Sequence, residues 1–220
     1  MDRPQPVSEE LEITLRQLAF LNRHFGGHRL VRHFLQRWFA AGEHAHVLDL
    51  ATGGGDYPRM MVSWARKNGV KLHVEAVDAS PSILRIGNSM STRFPEISFT
   101  RGDALTFGEM RKYDLVHCSL ALHHFSDEDA VRLLRRCREL SRRYVIVTDL
   151  ERSCITRVAV RMANVLLGHC RMTREDGDTS ARRAFSFREA RALAERAGWK
   201  DFSHRRFLFC RQALWMDLQA

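Results

Sequence analysis

The amino-acid sequence predicts one α/β domain over residues 1–220, built around a mostly parallel sheet with helices on both faces. Short apolar runs of strand length alternate with segments whose apolar residues recur every three or four positions, the period of an amphipathic helix. A cluster of three glycines, residues 53–55, follows the first run, and acids stand at the ends of four of the first five runs. This alternation favours parallel strands joined by right-handed crossovers.

Two amphipathic helices are predicted before the first strand. In the first, over residues 8–25, the periodic apolar positions are Leu11, Leu15, Leu18, Leu21 and Phe25, and Gly26-Gly27 ends the pattern. In the second, the apolar face comprises Leu30, Val31, Phe34, Leu35 and Trp38. We expect residues 8–40 to form a helical lid over a site; the alternative is a helical hairpin that covers an edge of the sheet.

The first β-α-β unit surrounds the glycine cluster. A strand over residues 46–50 leads into the glycines, and a helix begins near Pro58, where the missing N–H of proline loses no hydrogen bond. Asn68-Gly69 stops this helix, and residues 72–77 form the second strand. Ser80 then caps the next helix, with Pro81 at its first position.

Three further strands complete the predicted parallel part of the sheet. They cover residues 97–100, 113–118 and 144–148, and Ser126 caps the helix between the last two. The acids at the strand ends are Asp49, Asp78, Asp103 and Asp149. Because open α/β sheets bind ligands at the carboxyl ends of their strands, these acids indicate a binding site at that edge.

The remainder of the chain departs from the regular alternation. An amphipathic helix over residues 155–167 and a polar loop over residues 171–178 belong to a predicted insertion, residues 153–185, above the ligand edge. A capping box from Ser186 to Glu189 opens a helix that stops at Gly198. Two β-like runs, residues 200–204 and 207–215, are close enough to form a hairpin.

Composition argues against several classes of protein. No run approaches the roughly 18 apolar residues that a membrane helix needs. No apolar signal core follows the N-terminus, so we expect a cytoplasmic protein. The five cysteines are odd in number and show no C-x-x-C spacing, which argues against a disulfide framework and a zinc site. The net charge of +9 would attract nucleic acid, acidic membrane surfaces or anionic substrates.

The glycine cluster suggests a nucleotide ligand but argues against a phosphate. A glycine turn before a helix usually binds an anion, because exposed N–H groups and the helix dipole favour negative charge. Pro58 stands where the dinucleotide fingerprint needs a third small residue, and Asp49 on the strand would face a pyrophosphate with like charge. A phosphate P-loop does not fit either, since no Gly-Lys-Ser/Thr follows.

A ligand with cationic and hydroxyl groups suits the acids better. Asp49, before the turn, suits an ammonium group, and Asp78, after the second strand, suits ribose hydroxyls, because a carboxylate accepts two hydrogen bonds. Asp103, after the third strand, is placed for an adenine amino group. Ammonium, ribose and adenine together describe S-adenosylmethionine.

With these residues in place, the sequence resembles the class I S-adenosylmethionine-dependent methyltransferases, whose motifs run in this order over residues 47–149. Ala51 departs from the family, which commonly has its first glycine at this position. The string Ala51-Thr52-Gly53-Gly54-Gly55-Asp56 is similar to that of the quinone-biosynthesis C-methyltransferase branch. The resemblance implies a Rossmann-like sheet of seven strands with an antiparallel C-terminal hairpin.

The resemblance also implies which residues bind the methyl donor. Asp49 and the backbone of residues 51–55 would surround the methionine moiety, and Cys118-Ser119 would lie beside the sulfonium. The full predicted set is Asp49, Ala51, Thr52, Gly53, Gly55, Asp78, Ala79, Asp103, Ala104, Cys118 and Ser119. No metal site is predicted, because no set of clustered acids and an amide is found.

Two histidines are the catalytic candidates. Methyl transfer is an in-line displacement, so positioning in a water-poor pocket supplies most of the catalysis, and a phenolic acceptor gains from a histidine base. His123 and His124 lie in the loop after the fourth strand, which in this family faces the acceptor. We predict that one of them is the base or orients the acceptor. The alternative is that the pair only packs this loop.

The acceptor is inferred from the same loop. Residues 119–125 are apolar apart from Ser119 and the histidines, whereas enzymes that methylate amino groups of nucleic acid or protein glutamine have a polar Asn/Asp-Pro-Pro-aromatic loop. This favours a small, largely apolar acceptor. The layout resembles bacterial methyltransferases of aromatic polyketide or phenolic-lipid pathways. We therefore expect a phenolic, polyketide or quinone-like acceptor, with O-methylation favoured over C-methylation.

A rival interpretation is a methyltransferase or binding module that acts on RNA or another nucleic acid. Its basic face would comprise Arg132, Arg135, Arg136, Arg138, Arg142 and Arg143. A solvated helix face explains these arginines as well, and aromatic residues for base stacking are absent among them.

Overall fold

A computed structural model describes residues 7–108, 112–153, 156, 177 and 179–219. The strands in chain order are β1 (His44–Leu50), β2 (Lys71–Asp78), β3 (Ile97–Arg101), β4 (Tyr113–Ser119), β5 (Ser141–Leu150), β6 (Ser203–Phe207) and β7 (Arg211–Asp217). Across the described residues they form a seven-stranded sheet in the order β3-β2-β1-β4-β5-β7-β6. β1 to β5 pair in parallel, and β7 is antiparallel to both β5 and β6. The strand order reverses between β1 and β4, which is where open sheets of this kind bind ligands.

The helices surround this sheet. Three of them begin at the predicted serine caps, Ser80, Ser126 and Ser186, whereas the helix predicted to begin near Pro58 begins at Asp56. The helices whose bounds the structure describes are α1 (Glu9–His24), α2 (Gly27–Trp38), α3 (Asp56–Lys67), α4 (Pro81–Ser89), α5 (Asp127–Leu140) and α6 (Phe187–Arg196), with a 3-10 turn at Leu122–His124. Ser8, Ser80 and Ser126 each accept a hydrogen bond from the first turn of their helix. Ser186 forms the full capping box with Glu189. In the described ranges, no helix combines the length and apolar character needed to cross a bilayer.

Each face of the sheet has its own hydrophobic core. α2 and α3 pack on one face through residues such as Leu35 and Met61, which meet Leu115 of β4. α5 packs on the other face, where Leu134 and Cys118 share a cluster with α6. Since side chains alternate along a strand, residues 115 and 117 of β4 face α3, and residues 116 and 118 face α5.

The predicted fold class is confirmed, with differences at element boundaries. β1 begins earlier than the predicted strand and ends at the same residue. β5 begins earlier and ends later than its predicted strand. The run over residues 207–215 is wrong as a single strand, because β6 ends at Phe207 and residues 208–210 form the turn to β7. Leu208 and Phe209 gave this stretch its apolar composition, yet they are 69% and 53% exposed. The predicted helix over residues 155–167 and the polar loop over residues 171–178 lie almost wholly outside the described residues.

Candidate active site

A cavity of about 860 Å³ lies at the carboxyl edge of the parallel strands. Its walls come from α1, the glycine turn after β1, the loops that follow β2, β3 and β4, and the turn between β6 and β7. The N-terminal helix and the C-terminal hairpin therefore both help to enclose the space at the β1–β4 reversal.

Most residues predicted to form the site meet in this cavity. Its wall includes Asp49, Ala51, Thr52, Gly53, Asp78, Ala79, Asp103, Ala104, Ser119, His123 and His124. Two predicted donor-binding residues, Gly55 and Cys118, are not part of the wall. The Cys118 side chain is completely buried in the core on the α5 face, and burial raises the pKa of its thiol well above the usual value.

The glycine turn depends on left-handed backbone at three positions. Ala51, Gly53 and Gly55 have φ of 55°, 55° and 72°. A side chain at Gly53 would meet no atom within 4 Å, so its backbone is open to the cavity that it lines. A Cβ at Gly55 would lie 2.7 Å from the ring of Phe99. Glycine at position 55 is therefore required by the turn and by close packing against Phe99, whereas the backbone of Gly53 forms part of the cavity wall.

Asp49 is held by two side chains inside the protein. Its Oδ2 accepts a hydrogen bond from the Thr52 hydroxyl at 2.5 Å, and its Oδ1 lies 2.5 Å from Nδ1 of His117 on the neighbouring strand. Asp49 is 2% exposed and His117 is completely buried. Asp49, which was predicted to bind an ammonium group, thus also links two central strands of the sheet. Each of its carboxylate oxygens already has one partner within the protein.

Asp78 and Asp103 occupy the far side of the cavity from β4. The Asp78 carboxylate accepts backbone hydrogen bonds from Gly53 at 3.0 Å and Ser80 at 2.9 Å, one on each oxygen. Burial raises the pKa of Asp78, and the charge of Asp49 acts in the same direction. Each oxygen keeps a lone pair, so the residue fits a pair of ligand hydroxyls. Asp103 is exposed and accepts from Leu105 N–H at 2.9 Å, which fixes the turn after β3.

The two predicted histidines have different surroundings. His123 is 3% exposed, and its Nδ1 lies 2.7 Å from Oδ1 of Asp149 at the end of β5. The other Asp149 oxygen accepts the backbone N–H of His123 at 3.0 Å. His124 is less buried and lies beside His123, with ring centroids 4.3 Å apart and the rings tilted by 38°. The structure therefore orients His123 with a carboxylate, an arrangement that suits a proton-accepting imidazole.

A further polar cluster reaches the cavity from the α3 face. Arg211, at the start of β7, donates to the Phe25 carbonyl and to Asn22 Oδ1, each at 2.9 Å. Asn22 in turn donates to Asp56, which also pairs with His28 at 2.8 Å. Burial opposes ionisation of Asp56, but the hydrogen bonds with His28 and Asn22 and the charges of His28 and Arg59 together outweigh burial, so the pKa of Asp56 is lowered.

Sequence reasoning missed several of these residues. His117 lies within an apolar strand run and Arg211 lies beside one. Titratable residues are rarely buried in strands, so their presence there could have marked them as functional candidates. Tyr57 directly follows the glycine turn and packs against His117, with ring centroids 4.9 Å apart. Their contacts join positions far apart in the chain, which local spacing does not reveal.

Four of the six arginines of the rival basic face form hydrogen bonds or ion pairs with other residues of the chain. Arg132 pairs with Asp129, and Arg136 donates to the backbone of residues 107 and 108. Arg142 forms a two-point contact with Asp114, and Arg143 pairs with Glu43. These contacts give the four side chains structural partners that do not require a nucleic acid.

Comparison with known proteins adds independent information about the chain. Residues 47–144 match the family model of a methyltransferase domain. A demethylmenaquinone methyltransferase of Thermotoga maritima is 33% identical over 99 residues, which cover 44% of this chain and 39% of that protein. A 2-phytyl-1,4-naphtoquinone methyltransferase of Thermosynechococcus vestitus is 32% identical over 81 residues, which cover 37% and 35% of the two chains. The chain thus spans well under half of the length of these curated relatives.

Solved structures extend the likeness to nearly the whole chain. Human N-acetylserotonin methyltransferase, solved in complex with SAM, matches with a TM-score of 0.68 at 16% identity. The match covers 95% of this chain and 55% of that chain. At this level of identity the likeness establishes a shared fold.

Proposed function

We propose that this chain, whose residues 47–144 match a methyltransferase domain, is a class I S-adenosylmethionine-dependent methyltransferase that transfers a methyl group to a hydroxyl oxygen of a small, largely apolar acceptor. The acceptor is phenolic, polyketide or quinone-like. The observation that carries the proposal is the cavity that joins the predicted donor-binding acids to the His123–Asp149 pair. Two relatives whose names refer to quinone compounds support this class of acceptor.

The donor occupies the part of the cavity between β1 and β3. Asp78 accepts the ribose hydroxyls, Asp103 and Ala104 border the adenine, and the backbone around Gly53 holds the methionine moiety. Ser119 borders the sulfur, with its hydroxyl positioned by Thr148 at 2.7 Å. When bound, S-adenosylmethionine supplies an electrophilic methyl group on a sulfonium sulfur.

The acceptor occupies the apolar part of the cavity. Its walls there are formed by Leu18, Leu21, Phe25, Phe125 and Leu150, which α1, the loop after β4 and the end of β5 contribute. Such a wall excludes water and favours an aromatic or prenyl-like body over a charged one. Within the predicted lid, residues 8–40, α1 covers this pocket, whereas α2 packs on a face of the sheet. The predicted insertion at residues 153–185 lies mostly outside the described residues.

His123 acts as the general base. Its Nδ1–H donates to the Asp149 carboxylate, which fixes the tautomer whose Nε2 accepts a proton. Nε2 accepts the proton of the acceptor's hydroxyl group, and the oxygen of that group becomes the nucleophile. Asp149 stabilises the imidazolium that results and acts as a positioning residue.

A direct test begins with donor binding and continues to the product. We expect isothermal titration calorimetry to show one S-adenosylhomocysteine per chain. A panel of phenols and hydroquinones with radiolabelled S-adenosylmethionine should then yield labelled product, and NMR should show a methoxy group. Absence of S-adenosylhomocysteine binding would contradict the proposal as a whole. A C-methyl product alone would contradict its oxygen-specific part.

Replacing His123 by Gln should lower kcat by roughly 10²- to 10⁴-fold, because the acceptor hydroxyl loses its base. Donor affinity should stay within about twofold of the wild type, since His123 does not touch the donor in this proposal. Single-turnover kinetics at saturating donor, with parallel calorimetry, measure both quantities.

His124→Gln is the matched control, because His124 lines the same cavity and lies beside His123 in the same loop. It should retain near-normal turnover. Asp149→Asn should lower kcat and alter the pH profile of kcat while the donor affinity persists. Equal losses in the two histidine variants would show that the loop is only a packing feature.

A further inference from the structure

A second concave surface, a groove between α1, α3 and the end of α4, is bordered by three arginines. Its lining residues are Arg16, Ala19, Arg59, Met90 and Arg93, and none of them belongs to the wall of the larger cavity. Ala19 and Met90 contribute apolar surface, so every charged side chain in this lining is cationic. A groove of this composition suits an anion.

Arg59, on α3, is the least exposed of the three arginines. Its Nη1 donates to the Gly54 carbonyl at 2.7 Å and to the Ser91 hydroxyl at 2.9 Å, and neither acceptor is charged. Its Nε and Nη2 make no hydrogen bond with any residue that the structure describes. The N–H bonds of Nε and Nη2 point to the same side of the guanidinium, so this edge remains free to bind two oxygens of one anion.

The charges of the three arginines are only partly balanced by acids. Burial lowers the pKa of Arg59, the charge of Asp56 raises it, and the like charge of Arg16 lowers it. Arg16 pairs with Glu12 at 2.6 Å on the exposed side of α1. Arg93 is exposed, and within the described part of the chain its guanidinium has no hydrogen-bond or ion-pair partner. Because like charges that share one groove repel each other, an anion between them would relieve the repulsion.

We propose that Arg16, Arg59 and Arg93 form a binding site for a phosphate-type oxyanion with two or more negative charges, and that this anion holds α1 against α3 and α4. Arg59 donates to the anion through Nε and Nη2, Arg16 reaches it from α1, and Arg93 reaches it from the segment after α4. Guanidinium groups suit phosphate oxygens because their planar N–H groups match two oxygens at once.

An anion in this groove connects three separate elements of the fold. Arg16 belongs to α1 and Arg59 to α3, and Arg93 follows the end of α4. α1 already packs on α4 through a small hydrophobic cluster that includes Leu15 and Ile86. The bound anion adds charge-assisted contacts beside this cluster. Since Leu15 also lines the larger cavity, the anion stabilises one wall of that cavity without entering it.

The phosphate group can come from a free small molecule or from a lipid headgroup, and two probes distinguish these sources. Inorganic pyrophosphate represents the free molecule, and its binding to the full chain is measured by calorimetry at low ionic strength, where screening is weakest. Phosphatidylcholine vesicles with and without phosphatidic acid represent the headgroup, and cosedimentation measures their binding. If a lipid is the source, the protein cosediments with the phosphatidic acid vesicles alone, and pyrophosphate releases it. If a free molecule is the source, pyrophosphate binds and neither kind of vesicle does.

Arginine variants locate the bound anion. Arg16→Gln and Arg93→Gln change exposed side chains, so both variants should fold normally. Each should weaken pyrophosphate by roughly three- to fivefold, the size expected for an exposed ion pair, and the double variant should weaken it by at least about tenfold. The matched control is the double variant Arg188→Gln with Arg205→Gln, which removes two exposed cations from α6 and β6 and should leave the affinity unchanged. Equal losses in the two double variants would show attraction to the overall charge of the protein and would overturn the site.

Hydrogen exchange tests the effect on α1 without any methyl donor. Pyrophosphate should slow the exchange of the α1 amides, residues 9–24, in the wild type, because the anion opposes local opening of this helix. The same addition should have no effect on the double variant of Arg16 and Arg93. Binding that depends on these arginines but leaves α1 exchange unchanged would support the site and overturn its effect on α1. If neither pyrophosphate nor phosphatidic acid binds in a way that depends on Arg16 and Arg93, the whole proposal is overturned.

Discussion

At the scale of single residues, Ala51 explains a departure that the sequence shows. The related family commonly has glycine at this position, and Ala51 adopts φ of 55°, a left-handed conformation that glycine takes without steric strain. The alanine keeps the turn geometry that the cavity needs, and it carries local strain in doing so. Alanine in place of the family's glycine therefore lowers the stability of the fold but leaves the backbone conformation of the turn unchanged.

Ala51→Gly should raise the free energy of unfolding by about 1 kcal/mol, because the strain relieved exceeds the added freedom of the unfolded chain. Urea denaturation at pH 7 measures the change. Ala79→Gly is the control, since Ala79 does not have positive φ, and it should destabilise by roughly 0.5–1 kcal/mol. Equal destabilisation by both substitutions would contradict the strain at Ala51.

The place of a residue in the cavity could be predicted from sequence where it depends only on the position of that residue in one strand. Asp78 and Asp103 follow strands, and parallel strands bring their ends to one edge, so their meeting in the cavity follows from topology. The pairing of Asp49 with His117, which are 68 residues apart in the chain, depends on the register between β1 and β4. Register across a long connection has no local signal, so this anchor was not predicted.

At the scale of elements, Asp114 ties three neighbouring strands together. It lies on β4, accepts the His46 N–H of β1 at 2.8 Å, and forms two contacts of 2.8 Å with Arg142 of β5. Burial disfavours its charge, but the hydrogen bonds from Arg142 and His46 and the charges of Arg142 and Arg143 together outweigh burial and lower its pKa. The carboxylate thus stabilises the sheet at the end opposite the cavity.

Asp114→Asn should lower the free energy of unfolding at pH 7 by roughly 1.5–3 kcal/mol, the range for hydrogen bonds to a charged group. Because the folded-state pKa lies below the unfolded value of about 3.9, this contribution is complete above that pH. It is lost as the pH falls through the folded-state pKa. Urea unfolding at pH 7, 4 and 3 should show the gap between wild type and variant narrowing toward acid.

Glu12→Gln is the control for the acid, since Glu12 pairs with Arg16 on an exposed helix face. That substitution should change stability by no more than about 0.5 kcal/mol. A gap for Asp114→Asn that stays constant from pH 7 to pH 3 would show that its charge is not the cause.

Element boundaries show what composition reveals and what it hides. Helix starts were predicted at the right residues because Ser80, Ser126 and Ser186 have side chains that satisfy free N–H groups. The turn between β6 and β7 was misplaced because Phe209 and Cys210 adopt left-handed φ of 61° and 56°, which bulky residues rarely do. No glycine or asparagine marks this turn, so it read as a strand.

At the scale of the whole molecule, ligand binding should be visible as global stabilisation. A ligand present at 100 times its Kd stabilises the folded state by about 2.7 kcal/mol, which for a chain of this size raises Tm by roughly 5–10 °C. We expect this shift with S-adenosylhomocysteine in differential scanning fluorimetry. Homocysteine alone should give no shift, since it lacks the adenosyl group. The absence of a shift at millimolar S-adenosylhomocysteine would contradict donor binding.

The hydrogen bond between Asn22 and Arg211 spans 189 residues of the chain. A contact between such distant positions forms late, because the loop that it closes must first be ordered by the rest of the fold. During synthesis, β1 to β5 leave the ribosome well before residue 211, so a nascent chain can begin to order its parallel strands while one wall of the cavity is still missing. A small-molecule ligand of this cavity therefore meets the complete wall only after residue 211 has joined the fold.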